Sequence, residues 1–143
     1  MKEKETWDLL ISKAKEVRNP RMISPFIEGG QVGAAILTKQ GNIYTGVCLD
    51  TASSLGICAE RNAIHTMITN GESEIVKIVC IDSRGHLGSP CGACIELIMQ
   101  LSENSKYIEI LRSEETYEYV TMEELMPNWW GYSRFEQEKS TNN

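Results

Sequence analysis

Long apolar runs are absent from this chain: no stretch of about 18 consecutive apolar residues occurs, so we predict no membrane span. The N-terminal sequence, M-K-E-K-E, does not have the pattern of a signal peptide, and we therefore expect a cytoplasmic protein. Basic residues are also scarce, since 14 Lys and Arg stand against 20 Asp and Glu, a net charge of −6. Phosphate backbones require a Lys/Arg surface, so the charge argues against a nucleic acid as partner and predicts that any substrate is a free small molecule.

Internal repeats and interdomain linkers are absent as well, and 143 residues of which 41% are hydrophobic suffice for one domain with a buried core. The five cysteines are odd in number, and three of them have a spacing typical of a metal site, so we expect no disulfide framework. We predict a single domain over residues 1–131, followed by a loosely held polar tail over residues 132–143.

Hydrophobic periodicity predicts an α/β fold. We expect a helix over residues 6–17, a second after Cys58, a third after Cys91, and a short fourth opened by a capping box at residues 121–124. Strands are predicted over residues 32–38, 43–48, 75–81, 107–111 and 117–120, and loops over residues 21–30, 50–56 and 82–89. This order predicts a three-layer α/β/α sandwich with one mixed sheet covered by helices on both faces.

Three cysteines carry the clearest chemical signal: Cys58 stands alone, and Cys91 and Cys94 form a C-x-x-C pair. Each group opens a helical pattern, so the sulfurs should lie in or near a first helical turn, where thiolates are favoured over thiols. A catalytic zinc takes three protein ligands and leaves a fourth position open for water. We therefore predict that Cys58, Cys91 and Cys94 bind Zn²⁺.

The two residues that follow Cys58-Ala59 fit the same chemistry. Three thiolates leave a zinc centre with a formal charge of minus one, which weakens its ability to acidify water, and Arg61 can compensate. Glu60 can face the open position as a proton carrier. The simpler interpretations are an acidic residue favoured in a first helical turn for Glu60 and a surface charge for Arg61.

Other interpretations of the cysteines remain open. A zinc closed by His65 or His86 would be structural, and the chain would then be a non-catalytic, zinc-stabilised binding module. A redox C-x-x-C is disfavoured because the flanking pattern of a thioredoxin-like unit is missing and Cys58 is left unexplained. Cys48 and Cys80 are interpreted as buried thiols on strands, with Cys48 also a candidate for touching a substrate.

The C-A-E motif at residues 58–60, followed by P-C-x-x-C at residues 90–94, resembles the zinc-dependent cytidine deaminase family in its small, homotetrameric, three-cysteine form. Residues 32–38 and 41–46, V-G-A-A-I-L-T and G-N-I-Y-T-G, are similar to the family's hairpin, and residues 125–131 match its L-x-P-x-x-aromatic-G motif. The resemblance covers about residues 30–131 and implies a zinc-dependent deaminase domain there.

The resemblance also implies a reaction and its residues. Cytidine or deoxycytidine would become uridine or deoxyuridine by attack of a zinc-bound hydroxide on C4, with Glu60 moving the proton to N3 and then to the leaving amine. Backbone groups of Ala59 and Ser89 would contact the base and the departing ammonia, and Arg61 would support the cysteine sulfurs. Trp130 would stack on the base bound in a neighbouring subunit of a homotetramer. The enzyme would be cytoplasmic and would act in pyrimidine salvage.

The chain departs from the family where the sugar binds. Family members hold ribose with the Asn and Glu of G-x-N-x-E-N, whereas residues 46–51 read G-V-C-L-D-T, with Cys48 and Asp50 at those positions. Gly30-Gln31 stand where an aromatic residue and a proline are usual, and Ile95-Glu96 replace Arg-Gln. Loss of a hydrogen bond to a sugar hydroxyl changes discrimination strongly. The alternative is therefore a deaminase of blasticidin S or another modified aminopyrimidine nucleoside, although Arg61 favours the cytidine type.

Overall fold

The computed structural model describes residues 2–142, with side chains for residues 2–139. The helices are α1 (Glu3–Val17), α2 (Ala59–Thr69), α3 (Gly92–Leu101), α4 (Met122–Leu125) and α5 (Tyr132–Asn142), with a 3₁₀ helix at Glu103–Tyr107. The strands are β1 (Arg21–Ser24), β2 (Ile27–Thr38), β3 (Ile43–Thr51), β4 (Ile75–Ile81), β5 (Leu87–Gly88), β6 (Glu109–Leu111) and β7 (Tyr119–Thr121). No helix in this part of the chain is long and apolar enough to cross a membrane.

The seven strands form one mixed sheet, as predicted. β2 pairs antiparallel with β1, β3 and β4, while β4 pairs antiparallel with β5 and parallel with β6, and β6 pairs antiparallel with β7. β4 is thus central, which explains why Ile78, Val79, Cys80 and Ile81 are all buried instead of alternating with polar residues.

Helices cover both faces of this sheet, which confirms the three-layer α/β/α architecture. α1 packs on one face through Trp7, Leu10, Ile11 and Ala14, because these residues recur at helical spacing and form one apolar stripe. The opposite face is covered by α2 and α3, whose buried residues share a second cluster with the sheet. The capping box predicted at the start of α4 is present, between Thr121 and Glu124.

The structure corrects the prediction of a loop over residues 21–30. Pro25 and the Gly29-Gly30 pair suggested irregular chain, but residues 21–24 form β1 and β2 begins at Ile27. The glycines allow a bulge within β2 instead of ending it: the register with β3 shifts between residues 29 and 33, and Gly30 has φ +85°. β3 likewise extends to Thr51, into the region predicted as a loop, and the predicted loop over residues 82–89 contains β5.

The C-terminal residues also differ from expectation. Residues 132–142, predicted as a loosely held polar tail, form helix α5. Tyr132 and Phe135 pack against the second core cluster, and Lys139 Nζ lies 2.7 Å from Glu103 Oε2. These apolar contacts and the ion pair hold a segment that is polar in composition. The division into a domain over residues 1–131 and a separate segment stays a prediction.

Candidate metal centre and adjoining cavity

The three predicted metal ligands meet where α2 and α3 begin. Cys58 and Cys91 are the N-cap residues of these helices, and Cys94 lies in the first turn of α3. The position of Cys58, at the start of α2, depends on a close approach between α2 and β3. A Cβ on Gly46 of β3 would lie 2.5 Å from the backbone N of Ala63 of α2, so only glycine permits this packing.

The sulfur atoms have the spacing that a zinc ion requires. The Sγ of Cys91 lies 3.4 Å from that of Cys58 and 3.6 Å from that of Cys94, and all three lie within 4.8 Å of one another. Zinc–sulfur bonds of about 2.3 Å in a tetrahedron separate sulfurs by about 3.8 Å. The donor set therefore fits zinc with three protein ligands.

Neither histidine belongs to this group. Among the described residues the cluster consists of Cys58, Cys91 and Cys94, and both His65, on α2, and His86, on the turn before β5, are exposed. The alternative of a structural zinc closed by a histidine is thus wrong for this arrangement, because a fourth side-chain ligand would have to lie beside the three sulfurs.

Arg61 lies beside the sulfurs, as predicted. Its Nη2 donates to Cys58 Sγ at 3.6 Å, and hydrogen bonds to Cys58 and Cys94 raise the pKa of the guanidinium above its usual value. A permanent positive charge therefore faces the thiol cluster. Such a charge offsets part of the negative charge that three thiolates bring to a divalent ion.

The thiols of Cys91 and Cys94 differ in acidity. Burial raises the pKa of Cys94 far above its usual value, and the negative charge of Glu60 raises it further. Burial also raises the pKa of Cys91, but the backbone N–H of Cys94 and the hydrogen bond with Cys58 outweigh this effect, so the net pKa is lowered. Metal binding must therefore displace a tightly held proton from Cys94.

Glu60 lies beside the cluster and out of solvent. Its side chain is 4% exposed, and the Sγ of Cys94 donates to its Oε2 at 3.1 Å. Buried carboxylates are rare unless they are paired or serve a reaction, so first-turn helix propensity alone does not explain this position.

A cavity of about 220 Å³ opens on this group. It brings together the predicted site residues Cys48, Cys58, Ala59, Glu60, Ser89 and Cys91. Its remaining lining residues are Val32, Cys80, Asp82 and Gly88. The arrangement combines a three-sulfur metal site, a buried carboxylate and space for a small ligand, which is what hydrolysis assisted by a metal requires.

Comparison with known proteins decides the family. Residues 8–109 match the family described as "Cytidine and deoxycytidylate deaminase zinc-binding region". The chain belongs to this family. It is accordingly a zinc-type deaminase of a family that acts on small nucleosides, and zinc is its cofactor at the cysteine cluster. Family membership corrects the alternative of a non-catalytic binding module.

Individual relatives agree with this assignment. The chain is 31% identical over 98 residues to cytidine deaminase of Halalkalibacterium halodurans, covering 68% of this chain and 74% of that protein. It is also 31% identical over 105 residues to blasticidin-S deaminase of Bacillus cereus, covering 67% and 74%. The crystal structure of cytidine deaminase from Mycobacterium leprae superposes with a TM-score of 0.69 at 29% identity, covering 85% of this chain and 98% of that one.

Two predicted substrate-binding residues of this deaminase lie outside the cavity. Asp50 is exposed, near the end of β3 and opposite Glu28 of β2. Trp130 is 61% exposed and lines a separate groove. Its indole N–H donates a hydrogen bond to Glu96 Oε1 at 2.8 Å. Within one chain, therefore, neither side chain lines the cavity beside the cysteines. A contact of Trp130 with a neighbouring subunit stays a prediction.

The sequence reasoning missed three residues of the deaminase site. Asp82 and Cys80 line the cavity, and Gln31 accepts a hydrogen bond from Cys48 Sγ at 3.2 Å. Asp82 could have been found, because it follows the carboxyl end of a central strand, where ligands bind in open α/β sheets. Gln31 had no such signal, since its contact with Cys48 depends on the pairing of β2 with β3.

Proposed function

We propose that this deaminase hydrolyses the exocyclic amine of a cytosine nucleoside, converting cytidine or deoxycytidine to uridine or deoxyuridine. The observation that carries the proposal is the carboxylate of Glu60. It is 4% exposed, lies 3.1 Å from Cys94 Sγ, and lines a cavity that also contains Cys58 and Cys91. A proton carrier at that position is what hydrolysis of an amine requires.

In this proposal Cys58, Cys91 and Cys94 hold zinc. When bound, zinc would act as a Lewis acid that lowers the pKa of a bound water to about 7. Arg61 keeps its positive charge beside Cys58 and stabilises the anionic sulfurs. Burial of Glu60 and Cys94 strengthens the electrostatic interactions of these two side chains.

Glu60 is the group that moves the proton. Its carboxylate carries one proton from water to N3 of the base, and then a second proton, from the new hydroxyl on C4, to the leaving amine. The C4–O bond forms, the C4–N bond breaks, and ammonia leaves. Ala59 and Ser89 line the same cavity, which supports the proposal that their backbone groups contact the base and the departing ammonia.

A second candidate is a cytosine nucleoside with an altered sugar, such as blasticidin S. Cys48 stands at the position of the ribose-binding asparagine. Its thiol already donates a hydrogen bond to Gln31 Oε1 and accepts one from the backbone N–H of Val32 at 3.3 Å. Asp50 lies outside the cavity. Neither Cys48 nor Asp50 therefore offers the ribose contact that the corresponding residues make in cytidine deaminases, which favours a substrate with a different sugar.

The test is ammonia release by the zinc-loaded protein with cytidine, deoxycytidine, blasticidin S and free cytosine, and with Glu60→Ala as the blank. Turnover of cytidine or deoxycytidine supports the first candidate, and turnover confined to blasticidin S supports the second. Absence of turnover with all four contradicts both candidates.

The sugar site can be tested separately by the double variant Cys48→Asn with Asp50→Glu, which restores the family's residue types. We expect a higher kcat/KM for cytidine if these two positions weaken ribose binding. An unchanged kcat/KM would mean that the cavity differs elsewhere.

We further propose a cytoplasmic homotetramer of pyrimidine salvage whose active sites are shared between subunits. The exposed ring of Trp130 supports this, because together with Trp129 and Phe135 it lines an open aromatic groove of the kind that a second subunit covers. Light scattering of the zinc-loaded protein tests the subunit number. Trp130→Ala should raise KM for the nucleoside, and an unchanged KM would remove the ring from the site.

A further inference from the structure

Glu96, on α3, binds both tryptophans of the C-terminal motif. The indole N–H of Trp129 is shared between Glu96 Oε1 at 3.2 Å and Oε2 at 3.0 Å, and the indole N–H of Trp130 donates to Oε1 at 2.8 Å. Gln100, one turn further along α3, donates from Nε2 to Glu96 Oε2 at 2.9 Å. One carboxylate thus joins the helix that carries two of the cysteines to the segment that carries Trp130.

These N–H groups are the partners that hold the carboxylate. Within residues 2–139 every ion pair joins a lysine to another carboxylate, so Glu96 has no cation partner there. A carboxylate offers two acceptor oxygens, whereas the glutamine usual at this position in the family offers one and would direct an N–H₂ group at one of the donors. The exchange of glutamine for Glu96 therefore matches the presence of two adjacent indole N–H groups.

The two tryptophans differ in burial. Trp129 is 6% exposed and packs edge-on against Tyr132, with ring centroids 5.5 Å apart. Trp130 is mostly in solvent, and the guanidinium carbon of Arg134 lies 5.8 Å from its ring centroid. Core packing therefore holds Trp129 but not Trp130. The hydrogen bond to Glu96, which is strengthened by the charge of the acceptor, is the contact that fixes the direction of the Trp130 ring.

Glu96 also anchors this ring on a firmly packed helix. It lies two residues after Cys94, on the helix whose start carries the C-x-x-C pair. Ile95 and Ile98, on the same helix, are buried in the core cluster beneath the sheet. The direction of the exposed indole is therefore set by the element that also places two of the cysteines.

We propose that Glu96 is a positioning residue for substrate binding: its carboxylate holds the Trp130 ring in the orientation in which it stacks on a base bound in a neighbouring subunit. This inference rests on the proposed function, because it concerns the stacking ring of the proposed homotetramer. A ring that is fixed before binding loses less conformational freedom when the base arrives, which lowers KM. In this role Glu96 acts through Trp130 and does not touch the reacting atoms.

The first experiment is steady-state kinetics of the zinc-loaded parent and of Glu96→Gln, with whichever of cytidine, deoxycytidine and blasticidin S the parent deaminates fastest. We expect KM to rise about three- to tenfold while kcat stays unchanged, because the orientation of one side chain affects binding and not the chemical step. Glu138→Gln is the matched control. Glu138 lines the groove beside Trp130 and, among the described contacts, bonds to neither indole, so this variant should keep the KM of the parent. An unchanged KM for Glu96→Gln, or an equal rise in both variants, overturns the inference.

A double-mutant cycle separates positioning from a general effect on the fold. Trp130→Phe keeps an aromatic ring and removes the N–H that Glu96 accepts, so adding Glu96→Gln to it should raise KM no further. If Glu96 only stabilised the fold through Trp129, the two substitutions would raise KM by independent factors. Factors that multiply in this way contradict the inference.

Fluorescence gives a measurement that does not depend on turnover. The chain has three tryptophans, and Trp129→Phe leaves Trp7, which is fully buried, and the exposed Trp130. The phenyl ring that replaces Trp129 needs no hydrogen-bond acceptor, so folding of this variant does not depend on Glu96. Adding Glu96→Gln should lower the anisotropy of the emission that acrylamide quenches, since the Trp130 ring is then free to rotate. An unchanged anisotropy overturns the inference.

Failure of this inference differs from failure of the proposed function. A parent that deaminates a nucleoside, with a Glu96→Gln variant unchanged in KM and in anisotropy, contradicts the inference and leaves the proposed function intact. A parent that deaminates none of the compounds contradicts the proposed function. The anisotropy measurement then still tests whether Glu96 orients Trp130.

Discussion

The thiol of Cys94 donates a hydrogen bond to Glu60 Oε2 at 3.1 Å, although the two residues lie on different helices. Both side chains are buried, and the contact joins the first turn of α2 to the first turn of α3. The contact places a predicted metal ligand beside the proposed proton carrier, and the proton in this hydrogen bond is the one that metal binding displaces.

Replacing Glu60 by glutamine keeps the shape of the side chain and removes its ability to take a proton. We expect kcat to fall by about a hundred- to ten-thousandfold while zinc content and the far-UV spectrum stay unchanged. Glu123→Gln, on the exposed side of α4, serves as control and should keep full activity. A Glu60→Gln variant that retains activity would remove Glu60 from the mechanism.

The metal site predicts which substitutions lower zinc content. Cys91→Ser should reduce zinc, measured by atomic absorption, from about one ion per chain to a small fraction, because only two sulfurs remain. His86→Ala and His65→Ala should leave zinc content unchanged, since neither residue belongs to the sulfur group. A marked loss of zinc in either histidine variant would show that a histidine closes the site.

Gly46 controls how closely β3 approaches α2. A Cβ at this position would lie 2.5 Å from Ala63 N and 2.6 Å from Ala59 O, and backbone atoms cannot move aside without shifting the helix. Gly46→Ala should therefore lower the free energy of unfolding by about 1–3 kcal/mol and misplace the residues that begin α2. Urea unfolding of the zinc-loaded protein measures this.

The matched control is Gly92→Ala, at the start of α3, where a Cβ would meet no atom within 4 Å. Alanine is the better helix former, so this variant should be as stable as the parent or more so. Equal destabilisation by both substitutions would contradict the explanation from close packing.

Acid stability should depend on Glu72, which is 6% exposed. The nearby hydroxyl of Thr38 and the hydrogen bonds from Tyr44 and Asn42 lower its pKa below the usual value for glutamate, despite the opposing effect of burial. Its folded pKa is lower than its unfolded pKa, so Glu72 stabilises the fold above the unfolded value. This contribution is lost as the pH falls through the folded pKa, roughly from pH 5 downward.

The measurement is the free energy of unfolding in urea between about pH 7 and pH 3, for the parent and for Glu72→Gln. Glutamine cannot ionise, so the variant should be less stable at neutral pH and its stability should fall less steeply with acid. Parallel pH profiles for the two proteins would show that Glu72 does not contribute to the pH dependence.

Local pattern was sufficient for the elements that carry the metal site. β4 was predicted at residues 75–81, where the structure has it, because a continuous apolar run is typical of a central strand. The helices after Cys58 and Cys91 were predicted from apolar residues at helical spacing. The three sulfurs and Glu60 follow from these two helix starts, so the reactive group was predictable from the sequence.

Elements stabilised by distant contacts were not predictable in the same way. β1 depends on pairing with β2, and helix α5 depends on packing of Tyr132 and Phe135 against the core. Their local composition is that of loops and tails. Pairing energy and burial outweigh such local preferences, and neither can be calculated from a short window of sequence.

By itself, the sequence determined the fold class and the cysteine cluster of Cys58, Cys91 and Cys94, because each follows from local patterns of residue types. Only the tertiary structure decided which residues surround the substrate cavity. Strand register turned Cys48 toward Gln31 and left Asp50 in solvent, and the parallel pairing of β4 with β6 brought Arg112 to Ser89. Register and strand order arise from hydrogen bonds between distant segments, so they become visible only when the whole chain is folded.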